Sequence, residues 1–317
     1  MDEQIRLGIS SCLLGNEVRY NGGHQLDLFI TKTLGPFVEF VPVCPEVECG
    51  LGVPRESMRL VGTMDNPRLL TTKSGIDHTD RMQEWARKKV RELEQENLCG
   101  FIFKSKSPSS GMERVRVYRP DGTGYVGTRP GMFAELFMNH FPLLPVEEDG
   151  RLHDIALREN FIEQIFVYRR WRKLVADHFS TGDLVAFHTD HKLLLMAHSI
   201  THYRTLGTLV AQAKKIPRVE LVSRYESGLM QALRLKATVK KHANVLQHML
   251  GYFKTVLSAE EKQELLDLIE NYRKGYYPLI VPITLINHYV RKYNEKYLAR
   301  QHYLNPHPTE LKLRNHA

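Results

Sequence analysis

Short apolar runs closed by turn residues dominate the first half of the chain. Ile5-Arg6-Leu7-Gly8-Ile9-Ser10-Ser11 and Phe37-Val38-Glu39-Phe40-Val41-Pro42-Val43 read as buried strands, as do residues 58–62, 68–72 and 100–104. Between them, residues 77–98 carry Met82, Trp85, Ala86, Val90 and Leu93 at helical spacing, and Asp77 or Thr79 can cap the start. Residues 131–140 read as a further helix and 141–146 as a last short strand. Strands alternating with helices predict an α/β unit on a mostly parallel, Rossmann-like sheet covered on both faces.

The pattern then changes. Glu147-Glu148-Asp149-Gly150 is a polar turn and a natural domain edge, and residues 154–179 form a long helical stretch expected to connect two halves. Beyond Gly182 no alternation of period two remains. Residues 183–198, 202–213, 221–235, 237–253, 259–274 and 279–298 read as helices. Ser258 ahead of Ala259-Glu260-Glu261 makes a capping box, and Pro278 and Pro282 bracket the entry to the final helix. The expected organisation is an α/β domain over 1–150, a connecting helix over 151–181, an all-α domain over 182–304 and a loosely ordered tail over 305–317.

A chain of 317 residues is long enough for two such cores. Met1-Asp2-Glu3-Gln4 has no signal-peptide pattern. The longest apolar stretch, 276–286, holds two prolines and falls short of the roughly 20 residues a bilayer span needs. Four cysteines make no disulfide framework, so a cytoplasmic, membrane-free protein with reduced thiols is expected. No obligatory protein partner is implied. Charge is uneven: 19 Lys and Arg stand against 22 Asp and Glu through residue 155, and 25 against 14 afterwards. A basic helical half suggests a polyanionic partner such as nucleic acid, against the plainer reading of a lysine-rich solvated surface.

Cys12, Cys44 and Cys49 each sit where an apolar run gives way to a turn. In an open α/β sheet, ligands gather beyond the carboxyl ends of strands. Three thiols there can hold a metal centre with one position left open, and thiolates without imidazole suit zinc or iron–sulfur alike. Cys99, entering a strand, reads as a small buried hydrophobe. Glu46, between two of the thiols, is placed to take a proton from water, and is otherwise a loop carboxylate. The turn Ser107-Pro108-Ser109-Ser110-Gly111 follows a buried strand, so its hydroxyls and amides emerge at the same edge, unless it is an ordinary Ser/Pro/Gly turn. Arg19, Arg55 and Lys104 flank these loops and can meet phosphate or carbonyl oxygens. In the basic half, His188, His191, His198 and His202 lie near one helical face. Lys241, Asn244 and His248 make a stripe suited to phosphate and sugar.

Several of these segments match a known family. Ser10-Ser11-Cys12-Leu13-Leu14-Gly15, Val18-Arg19-Tyr20-Asn21-Gly22, Val43-Cys44-Pro45-Glu46, Pro54-Arg55 and Lys104-Ser105-Lys106-Ser107-Pro108-Ser109 resemble the thiouracil desulfidase family. The second half, through His191-Lys192, His198, Tyr203–Gly207, Lys241–His248 and Gly251-Tyr252-Phe253, resembles the helical domain fused to such enzymes in bacterial tRNA 4-thiouridine desulfidases. The resemblance implies a 4Fe–4S cluster on three cysteines with one open iron, Glu46 and Ser107 as catalytic groups, and Arg19, Arg55, Lys104, Ser109 and Ser110 against the substrate. It also implies that tRNA meets His191, His198, Lys241, Asn244 and His248. Cys12 and Cys44 carry over directly. The family's usual third cysteine falls where this chain has Ser110, so Cys49 is expected to supply the third thiolate.

The implied reaction is a non-redox conversion of 4-thiouridine in tRNA to uridine with release of sulfide. Two alternatives stand beside it: a desulfidase of free thiouracil or thiouridine nucleotides, and a zinc-stapled, non-enzymatic nucleic-acid-binding protein.

Overall fold

The computed structural model describes residues 4–177 and 179–315. The acidic start that carried the signal-peptide reading lies, but for Gln4, outside the described residues. Contacts divide the chain into two compact units between Asp154 and Ile155.

Four strands of the first unit, β1 (Ile5–Ser10), β2 (Val38–Val43), β5 (Gly100–Phe103) and β8 (Val146–Glu148), form an all-parallel sheet in the order β2-β1-β5-β8. Leu7, Ile9, Phe101, Ile102 and Phe103 are fully buried in it, as expected of a sheet covered on both faces. Its cover includes α2 (Thr79–Glu94) and α3 (Met132–His140), where Phe133 meets Phe101 edge-on and Phe137 packs tilted against it. A short α1 (Pro45–Glu48) follows β2. The strands end together, so the segments after β1, β2 and β5 emerge on one edge.

A second sheet was not anticipated. β3 (Met58–Gly62) and β4 (Pro67–Thr71) pair antiparallel, and β3 also runs parallel to β6 (Val115–Tyr118), which pairs antiparallel with β7 (Tyr125–Arg129). β6 and β7 are short, with exposed Arg114 and Arg116 alternating with Val115 and Val117, and the apolar pattern of the sequence assigns them no element. The last strand of the first sheet begins where the reading ended it. The supposed polar turn at Glu147 is its edge, with Glu147 bonded to Arg151 Nε at 2.6 Å.

The second unit is helical: α4 (Ile155–Ala176), α5 (Thr181–His198), α6 (Ile200–Ala211), α7 (Arg218–Arg234), α8 (Val239–Leu250), α9 (Ala259–Arg273), α10 (Ile280–Lys292) and α11 (Lys296–Ala299). The expected Ser258 capping box forms with Glu261, and a second joins Ser180 to Asp183. α4 is a core element of this unit rather than a connector. Phe161, Ile162, Ile165 and Trp171 are buried along it, and Trp171 stacks on Tyr225 of α7. The segment expected to be a loose tail is packed as well. Arg314 is buried with its guanidinium on Glu159 and Glu163 of α4 and on the Tyr303 carbonyl, because two interior carboxylates need a counter-charge.

Candidate active site

The edge where β1, β2 and β5 end opens into a cavity of about 350 Å³, within the range of small-molecule sites. Cys12 reaches it from the turn of 3-10 helix after β1, Cys44 from the N-cap of α1 directly after β2, and Ser107 and Ser110 from the turn after β5. Arg19, Arg55 and Lys104 complete its charged wall.

Glu46 faces these groups from α1. Ser109 Oγ donates to its Oε1 at 2.6 Å and Ser107 Oγ lies 3.4 Å from the same oxygen. Arg55 Nη2 is 3.8 Å from Oε2, and Cys44 Sγ is 3.7 Å from it. Arg55 is itself tied to the Val18 carbonyl at 3.0 Å. The serine turn is rigid for a local reason. Ser107 Oγ accepts from the Ser110 amide at 3.1 Å, while the carbonyls of Pro108 and Ser109 cap the first amides of α3. Gly131 is required there, since a Cβ would lie 2.6 Å from the Ser109 carbonyl. Lys104 is held by Asp149 at 3.0 Å. Burial works against the Asp149 carboxylate, but the Ser105 amide and the Lys104 ammonium outweigh it and hold its pKa low.

Both cavity thiols are held protonated at neutral pH. Burial, with the nearby Glu46 charge adding and Lys104 opposing, pushes Cys12 up to about 11; burial and Glu46 push Cys44 up to about 12. A metal would have to displace those protons.

Not every expected residue is in place. Cys49 does not line the cavity. It packs with Leu60, Leu69, Met82 and Val117 in a hydrophobic cluster, and its Sγ meets the Glu46 carbonyl at 3.3 Å. The cause is local backbone geometry: Cys44 is extended at the start of the single helical turn and Cys49 closes it, and the two side chains leave that turn toward different surroundings. The cavity therefore offers two thiols, with the Ser110 hydroxyl where a third would stand, and among the described residues no group of three His, Cys, Asp or Glu could hold a metal. That donor set does not fit a cluster held by three cysteines. Ser109 was expected against substrate. It is fully buried and its hydroxyl serves Glu46. Asp149 was missed because it was read as part of a surface turn.

In the second unit, His191 and His198 are interior and cannot touch RNA. His191 donates from Nδ1 to the Phe187 carbonyl at 2.7 Å and accepts from Arg170 at Nε2; His198 bridges Glu163 and the Leu235 carbonyl. Lys241 is spent on the carbonyls of His198 and Lys236. Asn244 and His248 are exposed on α8.

Residues 7–149 match the family described as 2-thiouracil desulfurase, and residues 192–308 match a family described as a protein of unknown function, DUF1722. Among curated proteins, YbgA of Escherichia coli (strain K12) is 32% identical over 48% of this chain and 90% of its own length. YbbK of Bacillus subtilis (strain 168) is 34% identical over 32% of this chain and 71% of its own. A solved structure described as a [4Fe-4S]-dependent thiouracil desulfidase, TudS, shares 25% identity over 49% of this chain and 98% of that one, with a TM-score of 0.39. No helix among the described residues is long and apolar enough to cross a membrane.

Proposed function

Because the chain belongs to the 2-thiouracil desulfurase family, with a DUF1722 region following the matched domain, we propose that its cavity removes sulfur from a thiolated pyrimidine, and that the substrate is 4-thiouridine in tRNA. The observation that carries this reading is the Glu46 carboxylate, held by Ser109 at 2.6 Å beside a charged cavity sized for a small ligand. Glu46 takes a proton from a water, and the oxygen adds to carbon 4 of the ring. Ser107, 3.4 Å from Glu46, directs its hydroxyl toward the base, and Arg55 and Lys104 offset negative charge developing on sulfur. The carbon–sulfur bond then breaks, sulfur departs as hydrosulfide, and the carbonyl of uridine remains. One water is consumed and one hydrogen sulfide released, with no change of oxidation state.

The excess of 25 basic over 14 acidic residues after position 155 supports a polyanionic substrate, whose reacting base must leave its stack to enter the cavity. We place the reaction in the cytoplasm, where cysteines stay reduced. A desulfidase of free thiouracil or a free nucleotide is the second reading, favoured by a cavity built wholly from residues of the first unit. Sulfide release from thiolated tRNA, 4-thiouridine 5′-monophosphate and thiouracil, compared at equal concentration, decides between them. Glu46→Gln should lower turnover on the preferred substrate by about 10²–10⁴; an unaltered rate would remove the general base.

A further inference from the structure

The second unit has a concavity of its own between α5 and α6, about 460 Å³ in volume. Thr181, Val185, His188 and Lys192 line it from one face of α5; Gly207, Val210 and Lys214 line it from α6 and the segment beyond. His188 is 2% exposed. Its Nδ1 pairs with the Tyr225 hydroxyl at 3.0 Å, whereas Nε2 is buried with no partner among the described residues. Buried polar atoms are seldom left that way without a reason. Burial, then the Lys192 charge, lower the imidazole to about 4, so it is neutral and Nε2 is free for one neutral hydrogen bond. Gly207 faces that nitrogen: a Cβ there would lie 3.6 Å from it, at ordinary contact distance.

The two lysines stand toward opposite ends. α5 and α6 form an antiparallel hairpin, so Lys214 sits at the Thr181 end, and Lys192 lies eleven residues further along α5, about 16 Å by helical rise. No carboxylate pairs with either lysine among the described residues. An apolar slot with one unpaired imidazole at its floor and an ammonium at each end matches a flat heterocycle with an anion on both sides.

We propose that this groove binds one nucleotide within a single strand, its base between Val185 and Val210 with an edge atom on His188 Nε2, its 5′ and 3′ phosphates toward the two lysines. The choice of ligand rests on the nucleic-acid substrate proposed above. Desulfidation of free 4-thiouridine is read separately, so loss of one leaves the other standing.

Calorimetric titration of the full chain tests the groove with uridine 3′,5′-bisphosphate, uridine 5′-monophosphate, uridine and a decameric oligouridylate. The bisphosphate should bind at least tenfold more tightly than the monophosphate, and uridine more weakly still. Lys192→Ala and Lys214→Ala should each weaken the bisphosphate and lower the salt dependence of the decamer by about one contact. Gly207→Ala adds a methyl at ordinary contact distance and raises helix propensity, so its melting temperature should hold or rise while bisphosphate affinity falls at least tenfold. Absence of binding by any probe overturns the proposal. So does a monophosphate that binds as well as the bisphosphate, or a Gly207→Ala protein that binds every probe like the parent.

Discussion

Ser109 Oγ donates to Glu46 Oε1 at 2.6 Å, and this buried hydroxyl, rather than a cavity-lining one, sets where the carboxylate points. Ser109→Ala should therefore act on the chemical step alone. A misaimed base costs on the order of 10-fold to 100-fold in kcat, with KM little moved because Ser109 is absent from the cavity wall. Steady-state kinetics on the best thiolated substrate checks this, and a change confined to KM would return Ser109 to substrate binding.

Cys49 lies in an apolar cluster, whereas Ser110 lines the cavity. Cys49→Ala should leave the iron and zinc content of anaerobically purified protein as it was, with about 1 kcal/mol of stability lost from the apolar cluster. Ser110→Cys should raise the metal content, since it puts a third thiol on the cavity wall. Metal analysis of the two variants beside the parent is the measurement, and a Cys49→Ala protein that loses its metal would return that residue to the centre.

The cavity thiols make a pH prediction. With Cys12 near 11 and Cys44 near 12, both are neutral at pH 7, so iodoacetamide should label metal-stripped protein slowly, the rate rising about tenfold per pH unit up to pH 10. The stability sign follows: an unfolded thiol at 9.0 releases its proton before the folded one, so the fold loses stability as pH climbs above 9. A labelling rate that levels off below pH 9 would contradict the burial account.

Arg314 carries a large share of the second unit's stability. Replacing it by leucine leaves Glu163, 2% exposed, without its guanidinium partner, and should cost about 3–5 kcal/mol in denaturant unfolding. A loss under about 1 kcal/mol would mean that the pair contributes little.

The parallel sheet was readable because Leu7, Ile9, Phe101 and Ile102 sit in continuous apolar runs between turns. The helices of the second half were readable from period and caps, as at Ser258. The β6–β7 hairpin escaped because its strands are short and arginine-laced, although Pro120-Asp121-Gly122 marks its turn. Cys12, Cys44, Glu46 and Ser107 come to one sheet edge because each lies shortly past a strand end, which local sequence shows. Where Cys49, His191 and His198 point depends on side-chain direction around a turn of helix, which spacing along the chain does not show.

The bond between Arg314 and Glu163 joins residues 151 positions apart. At roughly 5–20 residues per second, a ribosome finishes α4 about seven to thirty seconds before it delivers the guanidinium that neutralises it. The helical unit thus cannot close its interior as it emerges. Its interior carboxylates stay without their guanidinium until residue 314 has been added, and this half closes only after that point.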